Sequence, residues 1–259
     1  MTRRCLLTLA GLCLMAPSAA LAQDAAQKGL EIATKERDSR KGYGSEKADL
    51  EMVLIDANGT ETSRKMTSIA AEQEGDGDRS RLEVTWPADV QGTRVLTWSH
   101  HDKPDDQWLY LPSVTMTKRI AGGNKSASFM GSEFAFEDFS SFEVEKFTYK
   151  FLEDTELNDR PAWKYERFPT DPKSGYKRQV VWSDKEYLGP VKIEYYDRKN
   201  ELLKVSEYSD FQQQEGFWAP ATVHVKNVQT RKESRLHVTN RKVGADLDAN
   251  LFLSHALGD

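Results

Sequence analysis

From Ala48 to Val243 the chain reads as one short strand after another, with no helix-length apolar pattern between them. "ADLEMVLIDANGTETSRKMTSI" is two strands around Asn58-Gly59, a dipeptide suited to the positive φ angles of a tight hairpin. "RLEVTW" sets Leu82, Val84 and Trp86 against Arg81, Glu83 and Thr85, the period of a half-buried strand. "TRVLTWSH", "DQWLYLPSVTMTKRI", "KFTYKF", "RPAWKYERF", "YKRQVVW", "GPVKIEYYD", "ELLKVSEY", "PATVHVKNV" and "ESRLHVTNRKV" continue the pattern between turns. Sequential strands of this kind form an antiparallel meander, which buries its apolar side by curling into a barrel or a strongly curved sheet.

Before the strands, "QDAAQKGLEIATKERDSRKGYGS" carries Ala26, Leu30 and Ala33 at helical spacing, with Ile32 beside them. Asp24 suits an N-cap, and Lys35, Arg37, Arg40 and Lys41 complement the negative end of the helix dipole. Gly42 and Gly44 supply the stop, so one amphipathic helix of about four turns is expected.

Residues 1–22 read as a secretory signal. Arg3 and Arg4 precede an apolar run from Cys5 to Ala16, and Ala20-Leu21-Ala22 places cleavage after Ala22. The run falls short of the roughly 20 residues that span a bilayer. Residues 23–259 are then expected to form a single domain in the periplasm. Both cysteines, Cys5 and Cys13, fall within the signal, so the exported chain would hold no disulfide and no thiolate. The formal net charge of −5 becomes −7 once Arg3 and Arg4 leave with the signal. Positive residues are scattered, which argues against a nucleic-acid partner.

Catalytic signatures are missing. "GGNKSAS" places Asn124 where a phosphate loop needs its second glycine, and reads as a hairpin loop. "MGSEF" is no nucleophile elbow. His100 and His101 lie near Asp102, Asp105 and Asp106, but adjacent histidines point apart and no spaced partner follows, so no metal is assigned. No cofactor motif is present.

Aromatic surface remains. Ser126–Phe151 holds seven of the eleven phenylalanines, interleaved with Glu133, Glu137, Asp138, Glu143 and Glu145. Glu133 to Glu137 and Lys146 to Phe151 alternate like strands, while Phe139 and Phe142 break the register. The acids fit the wet side of such strands, with Asp138 the one placed to cap or bridge. The first part, with Phe129, Met130 and Gly131, suits the mouth or cover of an apolar cavity.

"KGLEIATKERDSRKGYGS", "DDQWLYLP" and "SFMGSEFAFED" resemble the LolA-like periplasmic proteins of outer-membrane lipoprotein sorting, in the branch found beside RND/MMPL-type exporters. The resemblance runs from about Gly29 to "LDANLF". It implies a mainly β (α+β) fold: a half-open, strongly curved antiparallel β-barrel with one N-terminal helix and a short helical or loop cover. It further implies a carrier that shields a lipid or lipoprotein acyl chain, exchanges it with an RND/MMPL-type inner-membrane transporter, and touches membranes only transiently. A lipid-sensing module without transfer activity is the alternative, and an exported hydrolase the third reading. Inward alternation nominates Leu82, Val84, Trp86, Leu96, Trp98, Trp108, Tyr110, Phe129, Met130, Phe134, Phe136, Val191, Ile193 and Tyr195 as cavity lining.

Overall fold

The structure, a computed structural model, describes residues 17–258. Most of the expected export signal, residues 1–16, lies outside the described residues. Helix α1 (Pro17–Asp38) begins before Asp24, so that residue sits inside the helix and is not its cap; Ala22, the expected cleavage point, is helical too. No helix among the described residues is long and apolar enough to cross a membrane.

Two meanders follow. The first comprises β1 (Ser45–Ile55), β2 (Glu61–Ala71), β3 (Arg79–Trp86), β4 (Arg94–Trp98), β5 (Asp106–Leu111) and β6 (Met116–Arg119). The second comprises β7 (Phe147–Leu157), β8 (Arg160–Pro169), β9 (Tyr176–Asp184), β10 (Gly189–Asp197), β11 (Leu202–Ser209), β14 (Thr222–Asn227) and β15 (Glu233–Val243). A small ribbon of β12 (Gln212–Gln214) and β13 (Phe217–Ala219) stands apart. Antiparallel pairing of β1 with β15 joins the meanders into one sheet, ordered β6-β5-β4-β3-β2-β1-β15-β14-β11-β10-β9-β8-β7. The sheet is strongly curved and does not close, as the mainly β, half-open expectation held.

This order dictates the cover. The open edges, β6 and β7, are consecutive in the chain, so residues 120–146 must pass from one edge to the other. Register defines the face they cross: Tyr165, Val181, Ile193, Ser206 and Val225 are lateral neighbours, as are Ser68, Leu82, Val95 and Leu109. Over β1–β4 that face is filled by Phe129 and Phe134 of the connector, packed on Leu50, Met52, Met66, Leu82 and Val84. Over β7–β10 it is covered by Ile32 and Ala33 of α1. Gly29 lets the helix approach: a Cβ there would lie 3.0 Å from both the Phe151 amide nitrogen and Tyr149 Cβ. The opposite face of β3–β5 carries a third cluster, Leu96, Tyr110, Phe252 and Leu257, beneath the C-terminal tail.

The connector differs from its sequence reading. Glu133 to Glu137 form no strand; a lone bridge, Ser128 to Ala135, is followed by a 3-10 turn at Phe136–Phe139. "GGNKSAS" starts the crossing and is no hairpin loop. The physical reason is that this segment has no neighbouring strand to pair with, so its backbone groups bond locally and to side chains of the sheet.

Candidate functional site

Between connector, helix and sheet lies a cavity of about 1220 Å³. That exceeds the roughly 300–1,000 Å³ of pockets for drug-sized ligands, so an extended molecule fits. Its floor is Arg167 of β8, Gln179 of β9, Ile193 and Tyr195 of β10, and Tyr208 of β11. The roof is the connector from Glu137 to Lys146 together with Phe147 at the start of β7, and the C-terminal end of α1 forms one wall. Tyr187, Phe211 and Trp218 make an aromatic rim, with Tyr187 stacked on Phe211 at 4.3 Å.

The roof is held mainly by polar bonds. Lys204, buried on β11, donates from Nζ to the Glu133 carbonyl at 2.8 Å and to Asp138 Oδ2 at 2.6 Å. Tyr176 donates to Asp138 Oδ1 at 2.7 Å, and the Ala135 amide to Oδ2 at 2.7 Å. Asp138 thus bridges connector and sheet. Asn227 donates to Glu133 Oε2 at 2.6 Å, and Gln107 to the Phe136 carbonyl at 2.9 Å. Glu137 accepts from Ser174 Oγ and the Gly175 amide, and burial pushes its carboxyl up. Gly175 is required at this joint, since a Cβ would come within 2.6 Å of Ser126 Cβ. Glu137 therefore faces inward, where sequence alternation had set it in water, while Asp138 bridges as its break in the alternation implied; a 3-10 turn does not preserve a strand's period of two.

Inside, Glu36 of α1 is buried and accepts from the Tyr165 hydroxyl at 2.9 Å, while its Oε1 has no hydrogen-bond partner. Burial drives the Glu36 carboxyl up against the opposing pull of Ser183, Arg167 and Tyr165. Burial likewise raises the phenols of Tyr176, Tyr195 and Tyr208. They stay protonated at neutral pH and serve as hydrogen-bond groups. Arg167 stacks on Phe142 and Phe147, 4.8 and 4.9 Å from the ring centroids, and its Nε donates to Gln179 Oε1 at 2.6 Å. At the connector's end of the cavity, Tyr43 donates to Asp78 at 2.9 Å. Burial lifts the Asp78 carboxyl to about 6, with Glu143 and Glu72 adding to the effect.

Of the nominated residues, Ile193 and Tyr195 line this cavity. Leu82, Val84, Phe129 and Phe134 are brought together in the core beneath the connector, with Met130 and Phe136 packed beside them. Val191 is half-buried on β10 outside the lining, and Trp86 is half exposed at the end of β3. Leu96, Trp98, Trp108 and Tyr110, expected to point inward, sit on the opposite face under the tail, where Trp98 Nε1 donates to the Phe252 carbonyl at 2.8 Å. Alternation finds two faces but does not say which is concave, and β4 is apolar on both.

Sequence reasoning missed Glu36, Arg167, Gln179, Tyr208, Phe142 and Phe147. A signal existed in the phase of some. Arg167 lies two residues from Tyr165, Gln179 two from Val181, and Tyr208 four from Lys204. A polar residue in phase with buried neighbours marks an interior polar site. His100 is buried between Asp76 Oδ2 at 2.7 Å and Asp106 Oδ2 at 3.2 Å, and His101 Nε2 is 3.2 Å from Glu143.

Comparison with known proteins places this geometry. No protein of curated function matches the sequence. A family profile described as "Uncharacterized protein"-like matches residues 76–259. A crystal structure from Vibrio parahaemolyticus, a domain named for outer membrane lipoprotein sorting, is 41% identical with a TM-score of 0.88, covering 90% of this chain and 100% of that one. A DUF1329 family protein from Desulfovibrio piger is 25% identical with a TM-score of 0.86, covering 90% and 99%. A LolA superfamily protein from Nitrosomonas europaea, 20% identical over 88% and 97%, shares the fold with a TM-score of 0.70. The chain belongs to the family of outer-membrane lipoprotein-sorting protein domains.

Proposed function

We propose that the protein is a periplasmic carrier that holds an acyl-chain molecule, lipid or lipoprotein, in the cavity beneath the connector. The observation that carries this reading is the cavity itself: about 1220 Å³ on a curved sheet, where Phe142, Phe147, Tyr176, Ile193, Tyr195 and Tyr208 offer apolar surface among charged side chains, within a family named for lipoprotein sorting. Capture needs no covalent step. Apolar burial supplies about 25 cal/mol per Å² removed from water, so several hundred Å² of acyl surface outweigh the ordering costs of binding. Export by the N-terminal signal, a single domain over residues 23–259, and exchange with an RND/MMPL-type transporter belong to the same proposal.

A fluorescent acyl probe titrated into delipidated protein tests it. Saturable binding, displaced by unlabelled lipid, is expected; no binding at micromolar probe would refute the carrier. Labelled lipid should also move from donor to acceptor vesicles in proportion to protein. A protein that binds the probe but moves no lipid would be the sensing module.

A further inference from the structure

One cation of the cavity makes no ion-pair contact, although the buried Glu36 carboxylate acts on it at longer range. Eight cationic or histidine side chains line it: Arg37, Arg40, Lys41, His101, Lys125, Lys146, Arg167 and Arg241. Seven have a carboxylate within 4.0 Å; Lys125, for example, meets Asp171 at 2.6 Å, Arg241 meets Glu46 and Lys146 meets Asp105. Arg167 is the exception: among the described residues no carboxylate oxygen lies within that distance of its guanidinium. It is nevertheless held in place, stacked on Phe142 and Phe147 with Nε bound to the buried Gln179. Its outer nitrogens therefore remain to meet a ligand.

We infer that Arg167 binds the anionic head of an amphiphile, a carboxylate or phosphate, whose acyl chain lies along the aromatic lining. This rests on the carrier reading and sharpens it. A guanidinium presents parallel N–H donors that match two oxygens of a carboxylate or phosphate, and in a half-buried site the charge-assisted pair is stronger than in water. The Tyr195 and Tyr208 hydroxyls, 3.4 Å apart, line the same cavity and supply further donors. Stacking on two rings tolerates an unpaired cation while no ligand is bound. Phe142 and Phe147 also adjoin the chain-binding wall, so head and chain are read side by side.

The test compares cis-parinaric acid, a fluorescent fatty carboxylate, with its methyl ester and with inorganic phosphate, on wild type and on Arg167→Gln and Arg167→Lys. Wild type should bind the acid about ten- to a hundred-fold tighter than the ester, the ratio expected for one charge-assisted pair. Arg167→Gln should abolish that preference, bringing acid and ester to the same affinity, with a wild-type circular dichroism spectrum and urea midpoint reporting that the variant is folded. Arg167→Lys, which keeps charge without the planar fork, should retain part of it. Equal binding of acid and ester by wild type would overturn the head-group assignment and leave the carrier standing. Failure of both to bind would remove the carrier reading with it. Phosphate alone should bind at least a hundred-fold more weakly than the acid, for want of apolar surface; phosphate binding as tightly would overturn the amphiphile.

Discussion

Replacing Lys204 with methionine should loosen the roof of the cavity. The Lys204 ammonium is almost wholly buried, and its Nζ bonds to Asp138 Oδ2 and the Glu133 carbonyl, both in the connector. Methionine preserves length and apolar packing but removes the charge, leaving the Asp138 carboxylate buried and the Glu133 carbonyl short of a donor. Breaking one side of a buried ion pair costs about 3–5 kcal/mol. Here Asp138 keeps the Tyr176 hydroxyl and the Ala135 amide, so the expected loss lies at the lower end, about 3 kcal/mol. Removing the partner as well, in Lys204→Met with Asp138→Leu, should recover most of that loss, because two matched apolar groups replace two desolvated charges. Urea unfolding of the wild type, both single variants and the double variant forms the cycle. Hydrogen exchange at the Phe129 amide, which bonds to the Phe134 carbonyl inside the connector, should quicken in Lys204→Met before exchange in β9 does. A single-variant loss below 1 kcal/mol, or losses that simply add in the double variant, would refute a roof held by this charge pair.

Gly29→Ala, a change that normally favours a helix by about 1 kcal/mol, should instead cost about 1–2 kcal/mol in thermal unfolding, because the new methyl meets the β7 backbone at 3.0 Å. Phe134→Ala should cost about 3–5 kcal/mol while leaving the probe affinity of the folded protein near wild type, since the ring packs in the core and not in the cavity. The Asp78 carboxyl titrates near 6 in the folded chain, above its ordinary value of 3.8, so folding favours its protonated form. Its stabilising contribution is complete below about pH 4 and lost as the pH rises through 6. Asp78→Asn should therefore gain stability relative to wild type between pH 4.5 and 7.5, by about 1–2 kcal/mol in this partly solvated site, with urea midpoints at the two pH values as the check.

The strands were legible because their signals are local. Asn58-Gly59 makes its hairpin from adjacent residues, and the alternation of "RLEVTW" and "KFTYKF" is written in each strand alone. The pairing of β1 with β15 joins residues nearly two hundred positions apart, and no local pattern announces it. The concave face was equally hidden. Val95 and Leu96 look alike in sequence, yet one packs under the connector and the other beneath the C-terminal tail. The cavity's polar residues escaped for a different reason. Arg167, Gln179 and Lys204 lie on strands where a charged or amide residue ordinarily marks the solvent face, and only their partners, Phe142, Phe147 and Asp138, explain their inward position. Phe142 and Asp138 belong to the connector and Phe147 opens β7 where the connector ends, and that path follows from which strands end as sheet edges.

The most direct measurement of where cargo sits is photo-crosslinking with a diazirine-bearing fatty acid, mapped by peptide mass spectrometry. The cavity predicts adducts on Phe142, Phe147, Ile193 and Tyr195, suppressed by unlabelled fatty acid. Adducts confined to Trp98, Trp108 and the C-terminal tail, or labelling that competitor does not suppress, would contradict a cargo held on the concave face.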